Sequence, residues 1–193
     1  MYYFHIFSRV SSKKGFTLLL AALVGSIVLA VGTAIYSIAQ KQITLSGVGR
    51  DSQFAFYAAD TGLECAQYWD QSPPIKNAAE DPSYFGTSTP AYAAMCDGKL
   101  INRTSLSPAP PATYPSWPSY YTTSFQYDIP IGGVNKYCVQ VTVTKAADPS
   151  VPGSWYSRIH ADGYNVTCAS LSNPRALQRS SELCFGPSDT FCK

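Results

Sequence analysis

The stretch Phe16–Ala39 reads FTLLLAALVGSIVLAVGTAIYSIA and contains no charged residue. About 20 consecutive apolar residues are enough for a helix to cross the hydrocarbon layer of a membrane. Arg9, Lys13 and Lys14 precede the run, and basic flanks of this kind stay on the cytoplasmic side. The sequence therefore predicts one membrane-spanning helix with a cytoplasmic N-terminus, and it places the rest of the chain outside the cytoplasm.

The helical pattern continues beyond the apolar run. Residues 41–69 contain no proline. Their apolar residues recur near one face at helical spacing: Phe54, Ala58, Cys65 and Trp69. Gly47 and Gly49 weaken the helix locally, by about 1 kcal/mol each relative to alanine. We expect one long helix whose first half, residues 16–39, lies in lipid and whose second half, residues 40–70, packs against an outer domain.

The outer domain, residues 71–193, differs from the helix in composition and in its hydrophobic pattern. Residues 71–118 are rich in Pro, Ser, Ala and Tyr, which predicts a long loop. Four segments with strand patterns follow: YYTTSFQYDI, KYCVQVTVTK, SWYSRIHADG and ALQRSSELCF. PIGG and Asp162-Gly163 predict turns. The sequence therefore predicts an α+β fold, in which the long N-terminal helix packs on a small antiparallel sheet of about four strands.

The composition favours an exported protein. Charged residues make up 13% of the chain, about half the usual share. All six cysteines lie beyond the apolar run: Cys65, Cys96, Cys138, Cys168, Cys184 and Cys192. No pair has CxxC spacing and only two histidines are present, so a zinc site is a poor explanation. An even number of cysteines outside the cytoplasm predicts disulfides, with the pairing left open.

The junction Lys13-Lys14-Gly15-Phe16-Thr17-Leu18 carries the most specific signal. A basic pair, a glycine and a phenylalanine that opens an apolar helix resemble the prepilin peptidase site of the type IV pilin and type II pseudopilin family. The resemblance implies that residues 1–15 are a leader, that cleavage falls between Gly15 and Phe16, and that Phe16 becomes N-methylated. Glycine lets the chain leave helical geometry, so that an enzyme can bind it extended.

Two other interpretations of the N-terminus remain open. In the first, Lys13 and Lys14 are only the basic flank of an uncleaved signal anchor. In the second, a secretory signal is cut after Ser37-Ile38-Ala39, which leaves a secreted protein that begins at Gln40. The apolar run is long for the core of a signal peptide, and this length disfavours the second interpretation.

Leu20 departs from the family pattern. It is the fifth residue from Phe16, where most members carry a glutamate that pairs with the terminal amine of a neighbouring subunit. A charge in an apolar environment is costly unless it is paired. In the family, absence of this glutamate is typical of minor components that prime assembly or occupy the tip. The resemblance therefore implies a minor subunit rather than the main building block.

The segment Gly49–Glu64, GRDSQFAFYAADTGLE, is similar to the helix of PilX-type minor pilins. Those proteins carry a basic–acidic pair followed by an Ala-Phe-x-Ala-Ala-acidic run. A generic amphipathic helix, with small residues that allow close packing, is the alternative. The resemblance covers about residues 9–70, and beyond them it extends only to architecture. It also implies that Cys184 and Cys192 close a small terminal loop.

The family resemblance implies the chain's partners and location. The precursor lies in the cytoplasmic membrane, is cut by prepilin peptidase, and is assembled by pilus machinery into an extracellular pilus or pseudopilus. Other pilin subunits bind through the N-terminal helix, where five small residues permit close approach: Gly25, Ser26, Gly32, Thr33 and Ala34. The chain has no nucleotide-binding motif, so the energy for extraction must come from an external motor.

The outer domain offers a candidate binding surface but no catalytic constellation. Four aromatic residues form a surface that suits a tip adhesin or a DNA-uptake subunit: Tyr114, Trp117, Tyr120 and Tyr121. The near-neutral charge beyond the leader disfavours nucleic acid.

The sequence has no GxSxG, HExxH or phosphate loop. His160 stands alone on a predicted strand, and Asp60 and Glu64 suit a solvated helix face or contacts to a neighbouring subunit. We expect no enzymatic activity and no cofactor, and rank a membrane-anchored hydrolase last.

Overall fold

A computed structural model describes residues 13–71, 83–86, 93–106, 120–148, 151, 153–186 and 192. One helix, α1, extends over Lys13–Gln71, which confirms the long N-terminal helix. The chain divides into two compact units, the N-terminal unit Met1–Val48 and the C-terminal unit Gly49–Lys193. Most of the predicted leader lies outside the described residues.

Within the described residues, the C-terminal unit contains two antiparallel sheets. A two-stranded sheet pairs the first two strands, and a five-stranded sheet follows in the order β3-β4-β5-β6-β7. The strands are β1 (Met95–Cys96), β2 (Lys99–Leu100), β3 (Thr104–Leu106), β4 (Tyr120–Ile131), β5 (Val134–Ala147), β6 (Trp155–Tyr164) and β7 (Gln178–Phe185). A short 3-10 helix, Cys168–Ser170, lies between β6 and β7. The predicted α+β fold is confirmed.

The hairpin between β4 and β5 follows the predicted turn. Gly132 and Gly133 have φ values of 61° and 79°, which side chains rarely adopt. Two consecutive residues with positive φ match the twist of antiparallel strands. The register shifts between Ile129 and Pro130, because proline has no N–H to donate to the ladder.

The prediction of a long loop over residues 71–118 is wrong for part of the segment that the structure describes. That segment contributes β1 and β2, and it also supplies β3, which pairs with β4 through Thr104↔Ser124. These strands are two or three residues long, so their sequences carry no visible alternation. Phe85 lies in the core, with its ring stacked 5.6 Å from that of Phe125. β1 and β2 pair with each other across the turn Asp97-Gly98, whose φ values are 47° and 71°, whereas β3 depends on pairing with a strand distant in sequence.

Within the C-terminal unit, α1 packs on one face of the five-stranded sheet with a face of small residues. These are Ala55, Ala58, Ala59, Gly62 and Ala66. The predicted apolar face was therefore displaced: Ala58 is buried, but Phe54, Cys65 and Trp69 are only partly buried. The sheet supplies the larger core side chains, including Val139, Val141 and Ile159. Small helix residues opposite branched strand residues bring the helix axis close to the sheet.

Gly163 corrects a second prediction. The predicted turn at Asp162-Gly163 is wrong, because both residues belong to β6, where Gly163 pairs with Val139 of β5. A Cβ atom at Gly163 would collide with the carbonyl oxygen of Ala55 and the backbone nitrogen of Ala59. The glycine is therefore required for the closest approach of helix and strand.

Gly163→Ala is expected to destabilise the C-terminal unit by about 1–3 kcal/mol, because backbone atoms of α1 would have to move. Gly49→Ala is the matched control. No atom lies within 4 Å of a Cβ placed there, and alanine in the helix should add about 0.5–1 kcal/mol of stability. Thermal unfolding followed by tryptophan fluorescence measures both changes. Equal midpoints for Gly163→Ala and the unaltered chain would contradict the packing described.

Candidate functional site

The N-terminal unit presents an apolar helix surface. Among the described residues, α1 is the helix long and apolar enough to cross a membrane, and no part of its most apolar window is buried. Ser26 Oγ donates to the carbonyl oxygen of Leu23 at 2.8 Å, and Thr33 Oγ1 donates to that of Ala30 at 3.0 Å. These hydroxyl groups are satisfied within the helix, as an apolar environment requires. This segment is compatible with a membrane anchor.

The predicted cleavage junction lies at the start of this helix. Because α1 begins at Lys13, Gly15 is already helical within its first turn. The Phe16 side chain is 69% exposed. The structure describes the helix from Lys13 onward, so an enzyme that binds the junction extended has to unwind the helix at Gly15 and Phe16. The leader role of Lys13 and Lys14, cleavage after Gly15 and methylation of Phe16 stay predictions.

Leu20 continues the apolar surface without interruption. Its side chain is 52% exposed, like those of its neighbours Leu19 and Leu23. At Gly25 and Gly32 an added Cβ atom would meet no other atom within 4 Å, so their surfaces are open for another helix. The helix carries no carboxylate before Asp51.

Three disulfides stabilise the C-terminal unit, and the described residues contain no free cysteine. The pairs are Cys65–Cys96, Cys138–Cys168 and Cys184–Cys192. The predicted disulfides are present, and the last pair is the one that the family resemblance implies. The first pair links α1 to β1, and the second links β5 to the 3-10 helix. Asp128 lies close to Cys138 and Cys168, but their bonded sulfurs are not the thiolates that bind metal.

A buried ion pair fixes the end of α1 to the sheet. Lys145 Nζ lies 2.7 Å from Asp70 Oδ1, and the two side chains are 4% and 1% exposed. Ser157 Oγ donates to Asp70 Oδ2 at 2.6 Å. Sequence reasoning missed this group. Lys145 lies on the same face of β5 as the buried residues Val141 and Val143. A lysine at a core-facing position could have indicated a buried partner of opposite charge.

His160 is not alone, so its predicted isolation is wrong. Its Nε2 atom lies 3.2 Å from Asp162 Oδ1, and its Nδ1 atom lies 3.4 Å from Glu182 Oε2. Arg158 Nε donates to Glu182 Oε1 at 2.7 Å. Successive side chains of β6 point to opposite faces of the sheet, so residues 158, 160 and 162 lie on one face. Glu182 of β7 lies directly opposite His160 of β6. The four side chains are between 21% and 49% exposed, so the network acts mainly as a surface ion-pair cluster.

The structure describes only part of the predicted aromatic surface. Tyr114 and Trp117 lie outside the described residues. Tyr120 and Tyr121 are partly buried, and the Tyr121 ring lies 5.7 Å from that of Trp155. The predicted helix carboxylates differ in exposure, since Glu64 is exposed and Asp60 is partly buried.

Two tyrosines of the sheet have raised pKa values. Burial, followed by the nearby Asp97 carboxylate, raises the pKa of Tyr127, whose hydroxyl has no hydrogen-bond partner among the described residues. Burial and the Asp162 carboxylate also raise the pKa of Tyr164. Both phenols therefore stay protonated to a higher pH than an exposed tyrosine does.

The fold defines a disulfide-linked α+β protein with a long apolar N-terminal helix. No family model, curated protein or solved structure matches the chain.

Proposed function

We propose that the chain is a minor type IV pilin-like subunit. In this role prepilin peptidase removes residues 1–15, and the N-terminal helix then assembles with other subunits into a pilus or pseudopilus. Leu20, in place of the usual glutamate, favours a priming or tip position. The observation that carries the proposal is an uncovered apolar helix that begins beside Lys13-Lys14-Gly15-Phe16 and continues into a disulfide-linked α+β unit.

The apolar helix suits both environments that the proposal requires. In the membrane its internally bonded backbone and hydroxyl groups match lipid. In a filament the same surface would be buried against helices of other subunits. Gly25 and Gly32 allow those helices to approach closely, since open space surrounds both positions.

The C-terminal unit suits a subunit that is held by its helix. The Cys65–Cys96 disulfide, the Gly163 contact and the buried Asp70–Lys145 pair all join α1 to the rest of that unit. A pull on residues 49–71 is thereby transmitted to the five-stranded sheet through two buried contacts and to the two-stranded sheet through a covalent link. A plain membrane anchor has no need for such attachment, and this difference favours an assembled subunit.

Gly25→Leu/Gly32→Leu is expected to exclude the chain from filaments while membrane insertion and folding are retained. A Cβ atom at either position has no neighbouring atom within 4 Å, so the effect of the larger side chains would fall on contacts with other subunits. Ile27→Leu is the matched control, because it changes neither volume nor polarity within the same run. Immunoblots of filaments sheared from cells, compared with the membrane fraction, measure incorporation. Equal incorporation of the double variant, or absence of the unaltered chain from sheared filaments, would contradict the proposal.

A tip adhesin is the second candidate. It rests on Tyr121 and its ring contact with Trp155, two partly buried aromatic residues near the end of the sheet. It is compatible with a tip position and requires the same processing. Alanine substitution of Tyr121 that leaves adhesion unchanged, in cells that still make filaments, would remove this candidate.

A further inference from the structure

The face of the five-stranded sheet opposite α1, here called the outer face, carries mainly polar side chains from β4 to β7. Over much of this face they are paired with one another. Thr122 and Thr144 share a hydrogen bond of 3.4 Å, and Arg158 pairs with Glu182 at 2.7 Å. Asp162 Oδ1 accepts a hydrogen bond from Gln178 Nε2 at 2.8 Å. These groups are committed to neighbours on the sheet.

One region of the outer face is different, because it is concave. A cavity of about 550 Å³ lies where the edge strand β3 begins beside β4. Six polar side chains line it: Asn102, Thr104, Ser124, Gln126, Gln140 and Thr142. Phe125 and Val141 also border the cavity, but their side chains belong to the buried core beneath the sheet.

The side chains of this cavity are largely uncommitted. Gln140 Nε2 donates to Gln126 Oε1 at 2.9 Å, and Gln140 Oε1 accepts from Tyr164 at 3.2 Å. Within the part of the chain that the structure describes, Gln126 Nε2 has no hydrogen-bond partner. The same holds for the side chains of Asn102, Thr104, Ser124 and Thr142. Among the described residues, the side chains of the cavity therefore have hydrogen-bond donors and acceptors without partners, whereas the polar side chains on much of the surrounding face are bonded to one another.

We propose that this cavity binds a neutral carbohydrate. Each sugar hydroxyl both donates and accepts hydrogen bonds, and amide and hydroxyl side chains offer both functions in return. Among the described residues no charged side chain lines the cavity, which disfavours phosphate and nucleic acid ligands. The polar lining disfavours a lipid or an apolar helix, which require apolar contact. The site goes beyond the proposed assembly role and does not depend on it.

The full chain, held in a detergent without a sugar headgroup, provides the test. Saturation-transfer NMR would measure binding of maltotriose, chitotriose and lactose at millimolar concentration. Sialyllactose, a short single-stranded DNA and an uncharged extended peptide serve as competing ligand classes. At least one neutral sugar is expected to bind, more tightly than the DNA or the peptide.

Two variants locate the site. Gln126→Ala removes the free amide, and Thr142→Val removes one hydroxyl while the strand-favouring β-branched shape is kept. Gln126→Ala should weaken sugar binding about tenfold, and Thr142→Val by a smaller factor. Glu64→Gln on the exposed side of α1 is the matched control and should leave binding unchanged. No binding of any neutral sugar, preferred binding of the peptide or DNA, or unchanged affinity in folded Gln126→Ala and Thr142→Val would each overturn the proposal.

Discussion

Lys145→Met should destabilise the C-terminal unit by about 3–5 kcal/mol, because it leaves the Asp70 carboxylate buried without its cation. Asp70 would keep the hydrogen bond from Ser157, and one neutral donor does not offset the loss of solvation of a carboxylate. The pair joins residues 75 positions apart, at the end of α1 and in the middle of the sheet. Its loss should therefore loosen the helix from the sheet as well as lower the unfolding temperature.

Two control variants separate the buried charge from other effects. Lys145→Met/Asp70→Leu removes both charges and should recover most of the lost stability, since apolar replacement of a buried pair is often close to neutral. Arg158→Met breaks an ion pair whose side chains are 49% and 40% exposed, and it should cost about 1 kcal/mol or less. Thermal unfolding followed by tryptophan fluorescence reports the change, since Trp69 adjoins Asp70. If Lys145→Met unfolds no earlier than Arg158→Met, the account of the buried pair is wrong.

Gly15→Leu should abolish processing, so that the chain keeps residues 1–15. A leucine side chain at the cleaved bond would obstruct a site adapted to glycine. Leucine would also strengthen the first turn of α1 by about 1 kcal/mol, which opposes the extended conformation that cleavage requires. The measurement is the intact mass of the chain after co-expression with a prepilin peptidase.

Gly25→Ala is the matched control for this experiment. Gly25 lies in the same helix and, like Gly15, has open space where a Cβ atom would stand, with no other atom within 4 Å. It lies ten residues beyond the junction, so alanine there should leave cleavage complete. Efficient cleavage of Gly15→Leu would show that the glycine has no role in recognition, and it would weaken the family resemblance at its most specific point.

The parts of the fold that depend on local pattern could be predicted from the sequence. The apolar run from Phe16 determines the helix, because an uncharged stretch of that length has few alternatives. The alternation of Val139, Val141 and Val143 determines β5 in the same way. The pairing of β3 with β4 depends on residues distant in sequence, and the local pattern does not predict it. β1 and β2 instead pair across the two-residue turn Asp97-Gly98, a local signal that the predicted loop overlooked.

The same difference between local pattern and distant contact applies to the residues of the candidate site and to those that hold α1 on the sheet. Gly15, Phe16 and Leu20 lie in one continuous stretch, so a family resemblance could suggest the roles proposed for them. The partners Asp70 and Lys145 are distant in sequence, and only the packing of α1 on the sheet brings them together. At Gly163 the local sequence was misleading, because the dipeptide Asp162-Gly163 is typical of a turn but lies within a strand. Its glycine serves the approach of a helix, which turn chemistry does not reveal.

The N-terminus of the mature chain tests the central claim most directly. Mass spectrometry of the N-terminal peptide, from cells that assemble the protein, distinguishes the interpretations. The account predicts a chain that begins at Phe16 and carries an N-methyl group. A chain that still begins at Met1 would indicate a plain membrane anchor, and one that begins at Gln40 would indicate a secreted protein; either result would contradict the account.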